Sequence, residues 1–235
     1  MATPTVPEDL DTFGLLETEQ LRLERFFATL DDAGWDVPTA CAGWRRREMI
    51  AHLAGSETYN LACLRDALGE LMSSATAAGV SDVDSFNAWQ VRLRADRPVE
   101  DVLREWRDAA AVVRRELRQL GRDGTLPTMV GQYSADAQAF HLAFEAAIHG
   151  DDVDIVVPDQ ERASRRAWMA RFCAFALAEE SRPVEVQRDD DRVRVRHAQT
   201  QEVAELDDTE LVAIFSGRAP RRLSESLDGA LRLYA

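Results

Sequence analysis

Ala139-Phe140-His141-Leu142-Ala143-Phe144-Glu145-Ala146-Ala147-Ile148-His149 is the stretch whose reading decides the fold. No Gly or Pro interrupts it, Ala is frequent, and Ser134 stands just upstream as an N-cap, so it reads as helix. Its only polar residues are His141, Glu145 and His149, spaced four apart. At ~100° per residue they drift by only about 40° per step and share one face. Phe140, Phe144 and Ile148 form an adjacent apolar stripe, and a helix apolar nearly all round is a buried one. A carboxylate on such a helix must be paired, protonated or bound to a cation, because a bare buried charge is too costly. His and Glu one turn apart therefore point to a metal site. Residues at i, i+4 and i+8 span ~12 Å along the axis, too far for all three to reach one ion. Either His141 with Glu145 or Glu145 with His149 can chelate, and a third ligand must come from elsewhere.

Working outward, the pattern predicts a first helix over Leu15 to Leu30 and a connection from Trp35 to Gly43. A second helix is expected from Arg46 to Met72, with His52 on a stripe with Met49, Ser56, Tyr59 and Cys63. Cys63 lies roughly 16 Å beyond His52 along that helix, out of reach of a shared ion. Residues 73–83 read as a loop, Asp84 to Arg94 as a short helix, and Pro98 as the first residue of a third long helix ending near Leu120. Gly121 to Gly131 reads as a loop before the fourth long helix. A fifth helix is expected from Gln160 to Ala178. The period then changes to two, with Val184, Val186, Val193 and Val195 predicting a hairpin around Arg188 to Asp191. Glu202 to Leu206 suggests a further strand, Asp207 and Glu210 a capping box, and His197 an exposed position after a strand. The final fifteen residues carry no decisive pattern. The chain is thus read as mainly α, a four-helix bundle over residues 1–157 followed by a small α+β domain over 158–235.

With 235 residues and 46% hydrophobic content the chain can bury a full core. No run approaches the ~18 apolar residues of a membrane span, and the N-terminus lacks the basic and apolar regions of a signal peptide. A cytoplasmic setting is expected. The net charge of −14 disfavours nucleic acid, which needs clustered positive charge. All 28 basic residues are Arg, as suits a GC-rich, actinobacterial type of genome. Cys41, Cys63 and Cys173 are odd in number and widely spaced, so neither a disulfide framework nor a zinc knuckle is indicated. Any thiol chemistry should draw its sulfur from a small molecule.

Two motifs carry a resemblance. Thr39-Ala40-Cys41-Ala42-Gly43-Trp44 followed by Ala51-His52-Leu53-Ala54-Gly55 resembles the second-helix signature of DinB-like metal-binding bundles, and more narrowly that of the mycothiol-dependent maleylpyruvate isomerase family of actinobacteria. Glu145-Ala146-Ala147-Ile148-His149-Gly150-Asp151-Asp152 resembles that family's fourth-helix motif, and Ser216-Gly217-Arg218 fits its α+β tail. The resemblance implies a DinB-like four-helix bundle holding a divalent metal, usually zinc, on His52, Glu145 and His149 with an open fourth position. It implies mycothiol as co-substrate, whose metal-bound sulfur attacks a small electrophile. In an isomerase the adduct rotates and eliminates to the trans product; in an S-transferase the addition or displacement is the end of the reaction.

Arg218 resembles a family arginine that binds a substrate carboxylate. The isomerase arginine before the third long helix has no clear counterpart near Phe86-Asn87-Ala88-Trp89, with Arg92 and Arg94 further on. His141 is additional to the family ligand set and fits a general base or a group supporting the ligands. Trp44 reads as a packing residue orienting the second helix. A non-catalytic metal-binding bundle and a metal–water hydrolase are the alternatives. For the hydrolase, the His-Glu-x-x-His pattern is missing. The expected partners are a small thiol and a small electrophile, with the protein a monomer or homodimer.

Overall fold

Side-chain caps open several helices of the first compact unit, Asp11–Ile155. The computed structural model describes residues 4–190, 192–220 and 222–233. In this unit α1 (Thr12–Phe27) starts at Asp11, whose carboxylate accepts from Gly14 N, and the short α2 (Asp32–Trp35) starts at Asp31 in the same manner. Next come α3 (Arg46–Leu64), α4 (Leu68–Ala77), α5 (Val83–Arg92) and α6 (Val99–Leu120). A hairpin, β1 (Thr125–Thr128) with β2 (Gly131–Ser134), leads into α7 (Ala135–Asp152). The Ser134 hydroxyl caps α7 by accepting from Ala137 N.

The long helices α1, α3, α6 and α7 make the bundle. α1 packs on α7 and α6, while α3 packs on α6 and α5. Leu23, Phe27, Trp35, Met49, Ile50, Val102 and Trp106 form the core between them. Phe27 stacks on Trp35 with centroids 5.4 Å apart and meets Trp106 edge-on at 5.9 Å. Each such side chain contributes on the order of 1.5–3 kcal/mol by burial. On α7, Phe140, Ala143, Phe144 and Ala147 are all buried, as the all-round apolar pattern requires.

Some elements differ from expectation. The second helix stops at Leu64 rather than Met72, because Asp66 adopts a left-handed conformation (φ 56°) that a right-handed helix does not accommodate. Part of the expected loop 73–83 is then helical, in α4. The expected loop 121–131 contains β1, a four-residue strand hidden by Pro127, a residue that argues against strand. Pro98 caps α6 instead of occupying its first turn.

The second unit comprises the segment up to Leu10 together with the segment from Val156 onward. It contains α8 (Asp159–Glu179), the antiparallel sheet β3 (Val184–Asp189), β4 (Arg192–His197) and β5 (Val203–Asp207), then α9 (Asp208–Phe215) and α10 (Glu225–Leu231). Val193 and Val195 of the central strand are fully buried, with Phe172 of α8 against Phe215 of α9. The Asp207/Glu210 capping box forms as expected. His197 is buried rather than exposed: its Nδ1 accepts from the backbone N–H of Gln199 and Thr200, closing the turn after β4. Among the described residues no helix is long and apolar enough to cross a membrane.

Candidate metal centre

α3 and α7 each present their polar face to the same point in the bundle. His52 Nε2 lies 3.3 Å from Glu145 Oε1 and 3.2 Å from His149 Nε2. All three donor atoms are within 4.8 Å of one another. Two nitrogens on one tetrahedral zinc, each at about 2.05 Å, stand about 3.3 Å apart, so this spacing fits a shared ion. The donor set fits as well. Facing groups are two imidazole nitrogens and a carboxylate oxygen, all types that bind a divalent ion, and His52 Nδ1 is buried without a hydrogen-bond partner.

Each ligand-type side chain has its own support. Ser56, one turn beyond His52, donates its hydroxyl to Glu145 Oε2 at 2.8 Å. Asp152, buried one turn beyond His149, lies with Oδ2 2.9 Å from His149 Nδ1. A carboxylate only accepts, so Nδ1 carries the proton and Nε2 keeps a lone pair for a cation. The ring of Trp44 lies 5.0 Å from that of His52.

The electrostatics favour the binding forms. Burial pushes the Glu145 carboxyl up, but the His52 hydrogen bond, the charges of His52 and His149 and the Ser56 hydroxyl outweigh it. The result is below the ordinary carboxylate value. Burial pushes His149 down, and the Asp152 hydrogen bond opposes it only in part, leaving the imidazole readily neutral.

The other predicted residues are not among these three donors. His141, half-buried one turn before Glu145, is outside the cluster, and its ring faces Tyr133 of β2 at 6.0 Å. Arg218 belongs to the second unit, just past α9, and donates to the Ser216 carbonyl at 2.7 Å. Arg94 is buried and committed to structure: it donates to Gln90, Thr58 and Glu105, tying α5 to α3 and α6. Gly55 allows this approach, since a Cβ there would lie 2.5 Å from Gln90 Cβ. Sequence reasoning overlooked Asp152, Ser56, Cys41 and Glu57. Asp152 was traceable as an acid at i+3 from His149, and Ser56 as a hydroxyl one turn past His52. Glu57 had no such signal.

Residues 16–154 match the family described as the mycothiol maleylpyruvate isomerase N-terminal domain. Two solved structures resemble the fold, both of the mycothiol-dependent maleylpyruvate isomerase. One is its crystal structure (14% identity, TM-score 0.54) and the other that of a histidine-to-alanine mutant (16%, 0.53). Each alignment covers 73% of this chain and 70% of the other. Among curated proteins none matches this chain. The fold is DinB-like, as the resemblance implied. Because the family match spans more than half of its residues, the chain belongs to the mycothiol maleylpyruvate isomerase family.

Proposed function

We propose that this isomerase-like protein is a metal-dependent enzyme that uses mycothiol, a low-molecular-weight thiol, as nucleophile on a small electrophile, either as an S-transferase or as a cis–trans isomerase. The observation that carries this reading is the meeting of His52 Nε2, His149 Nε2 and Glu145 Oε1 around one point. Held by those three residues, a divalent ion, zinc by the donor set, would supply a net positive Lewis acid that favours a thiolate at neutral pH. Family membership supports mycothiol as the thiol. Cys41, Cys63 and Cys173 form no disulfide with one another.

The protein's own residues then divide the work. Ser56 fixes the Glu145 carboxylate, and Asp152 fixes the His149 tautomer. We assign the proton to His141, one turn before Glu145 on α7, and, on the family resemblance, the substrate carboxylate to Arg218. The two possible outcomes differ by that proton. Addition of a thiolate to a conjugated double bond forms a C–S bond and moves the π pair onto the neighbouring carbonyl. If the carbon is protonated, the thioether persists and the reaction is a transfer. If not, the new single bond rotates, the thiolate is expelled, and the trans alkene leaves with no net use of thiol.

The test is turnover of zinc-loaded protein with mycothiol and either maleylpyruvate or a bimane-type alkyl halide. Thiol-dependent turnover of one of them is expected. Where the reaction ends in a protonated thioether, His141→Gln should lower turnover about 10²-fold, the lower range for general acid–base catalysis. Isomerisation, which needs no such proton, should be little changed, with zinc content unchanged in both cases. Turnover of an ester without thiol would point to a hydrolase, and zinc binding without any turnover to a binding module. Either result overturns the proposal.

A further inference from the structure

One short loop touches the supports of both histidines. Residues 39–44 fold back on themselves: Thr39 N donates to Trp44 O at 2.9 Å and Trp44 N to Cys41 O at 3.1 Å. The Thr39 hydroxyl accepts from Cys41 N at 3.1 Å, and Gly43 takes the left-handed conformation (φ 81°) that the turn needs. This closed loop reaches the end of α7 twice. Ala40 N donates to the Asp152 carbonyl at 3.0 Å, and the Cys41 thiol donates to Asp152 Oδ2 at 3.2 Å. That oxygen is the one that accepts from His149 Nδ1. At the other end of the loop, Trp44 lies against the His52 ring.

We infer that Cys41 is a positioning residue: through Asp152 it sets the orientation and tautomer of His149, so that residues 39–44 hold both imidazoles of the centre. The inference rests on the metal-site reading given above. Cys41 Sγ, His149 Nδ1 and Asp152 Oδ2 are themselves close enough to surround a cation. Their hydrogen bonding argues for a different role. Two donors, S–H and Nδ1–H, meet one carboxylate acceptor, a set that is matched without an ion. The His52–Glu145–His149 cluster is not matched in that way: one donor, the Nε2–H of His52, faces two acceptors, Glu145 Oε1 and His149 Nε2. The ion belongs there, and Cys41 acts on it at one remove. Groups that orient metal-binding histidines in this way typically alter affinity about 10–100-fold, and a weak S–H donor belongs at the low end.

The experiment compares wild type, Cys41→Ala and Cys41→Ser in three measurements. Zinc affinity is read by competition with a chromophoric chelator, the His149 ring nitrogens of metal-free protein by 15N NMR, and the cobalt-substituted protein by absorption. Cys41→Ala should weaken zinc about tenfold and shift the His149 nitrogens away from a pure Nδ1–H tautomer, with the far-UV circular dichroism retained. Cys41→Ser keeps a donor and should restore both to near wild type. Unchanged zinc affinity and unchanged His149 nitrogens in Cys41→Ala would overturn the inference. An intense near-ultraviolet sulfur-to-cobalt band, lost in Cys41→Ser, would also overturn it by making Cys41 a ligand. If wild type itself binds no zinc, the metal reading fails, while the metal-free His149 spectrum still decides the role of Cys41.

Discussion

Two glutamates in the same bundle have opposite fates. Glu145 on α7 has Ser56 and two imidazoles within reach, and its carboxyl is held below the ordinary range. Glu57 on α3 is buried, first by desolvation and then by the nearby charge of Glu145, into a state with its pKa pushed up to about 8. Its Oε1 accepts from the Gln20 amide at 2.5 Å, while Oε2 has no hydrogen-bond partner. Arg114 reaches only Gln20, whose Oε1 it meets at 2.8 Å. A neutral amide and a guanidinium one residue removed do not offset the cost of burying a charge. What separates the ionised Glu145 from the protonated Glu57 is therefore the donors within reach, together with the partial exposure that Glu145 keeps and Glu57 lacks. Glu145 also enforces the difference, because its charge helps keep Glu57 protonated.

The largest expected effect removes the ionised side of this comparison. His149→Ala deletes a donor of the cluster together with part of what holds Glu145 ionised, and His52→Ala does the same from α3. Elemental analysis should fall from about one zinc per chain, as three ligands and an open position imply, to background in both. Retention of full zinc in either variant would assign the ion to other residues.

The next effect acts on Glu57. Its folded pKa lies above its unfolded value of 4.5, so the folded state binds the extra proton between there and about 8. This group's contribution to stability is fully present below 4.5 and is lost as pH rises to about 8. Glu57→Gln should match wild type near pH 4.5 and exceed it above pH 8 by on the order of a few kcal/mol. Urea unfolding of the metal-free proteins across that range measures the difference. His149 and Glu145 are common to both proteins, so their own pH dependence largely cancels. A pH-independent gap would mean that Glu57 is ionised in the core.

Much of this was legible in the sequence because it depends on spacing. The four-residue interval of His141, Glu145 and His149 in an apolar helix predicts a buried polar stripe, and α7 is that helix. The period-two run from Val184 to Val195 predicts the hairpin of β3 and β4. What depends on partners distant in the chain was not. Glu57 follows Ser56 in a segment whose pattern gives no hint that Gln20 of α1 will cover it. The loop 39–44 was legible as a motif, but its grip on Asp152, more than a hundred residues later, is purely tertiary. Asp66, where α3 ends early, looks like any exposed helix residue until its left-handed backbone is seen.

The smallest expected effect sharpens the comparison without removing a ligand. Ser56→Ala deletes the hydroxyl that donates to Glu145 Oε2 but leaves both imidazoles in place. The Glu145 carboxyl should then move up toward the ordinary carboxylate value, since one of the groups holding it down is gone. Zinc affinity should weaken roughly tenfold, as for other groups that orient a ligating carboxylate. Glu57 titrates at about 8, where Glu145 stays ionised in both proteins, so its own titration should not move. A 13C-detected titration of both carboxyls in metal-free Ser56→Ala reads the two groups together. A Glu145 carboxyl that rises while Glu57 stays put would tie the low Glu145 value to the Ser56 hydroxyl, whereas an unmoved Glu145 would mean that the two imidazoles alone hold it ionised.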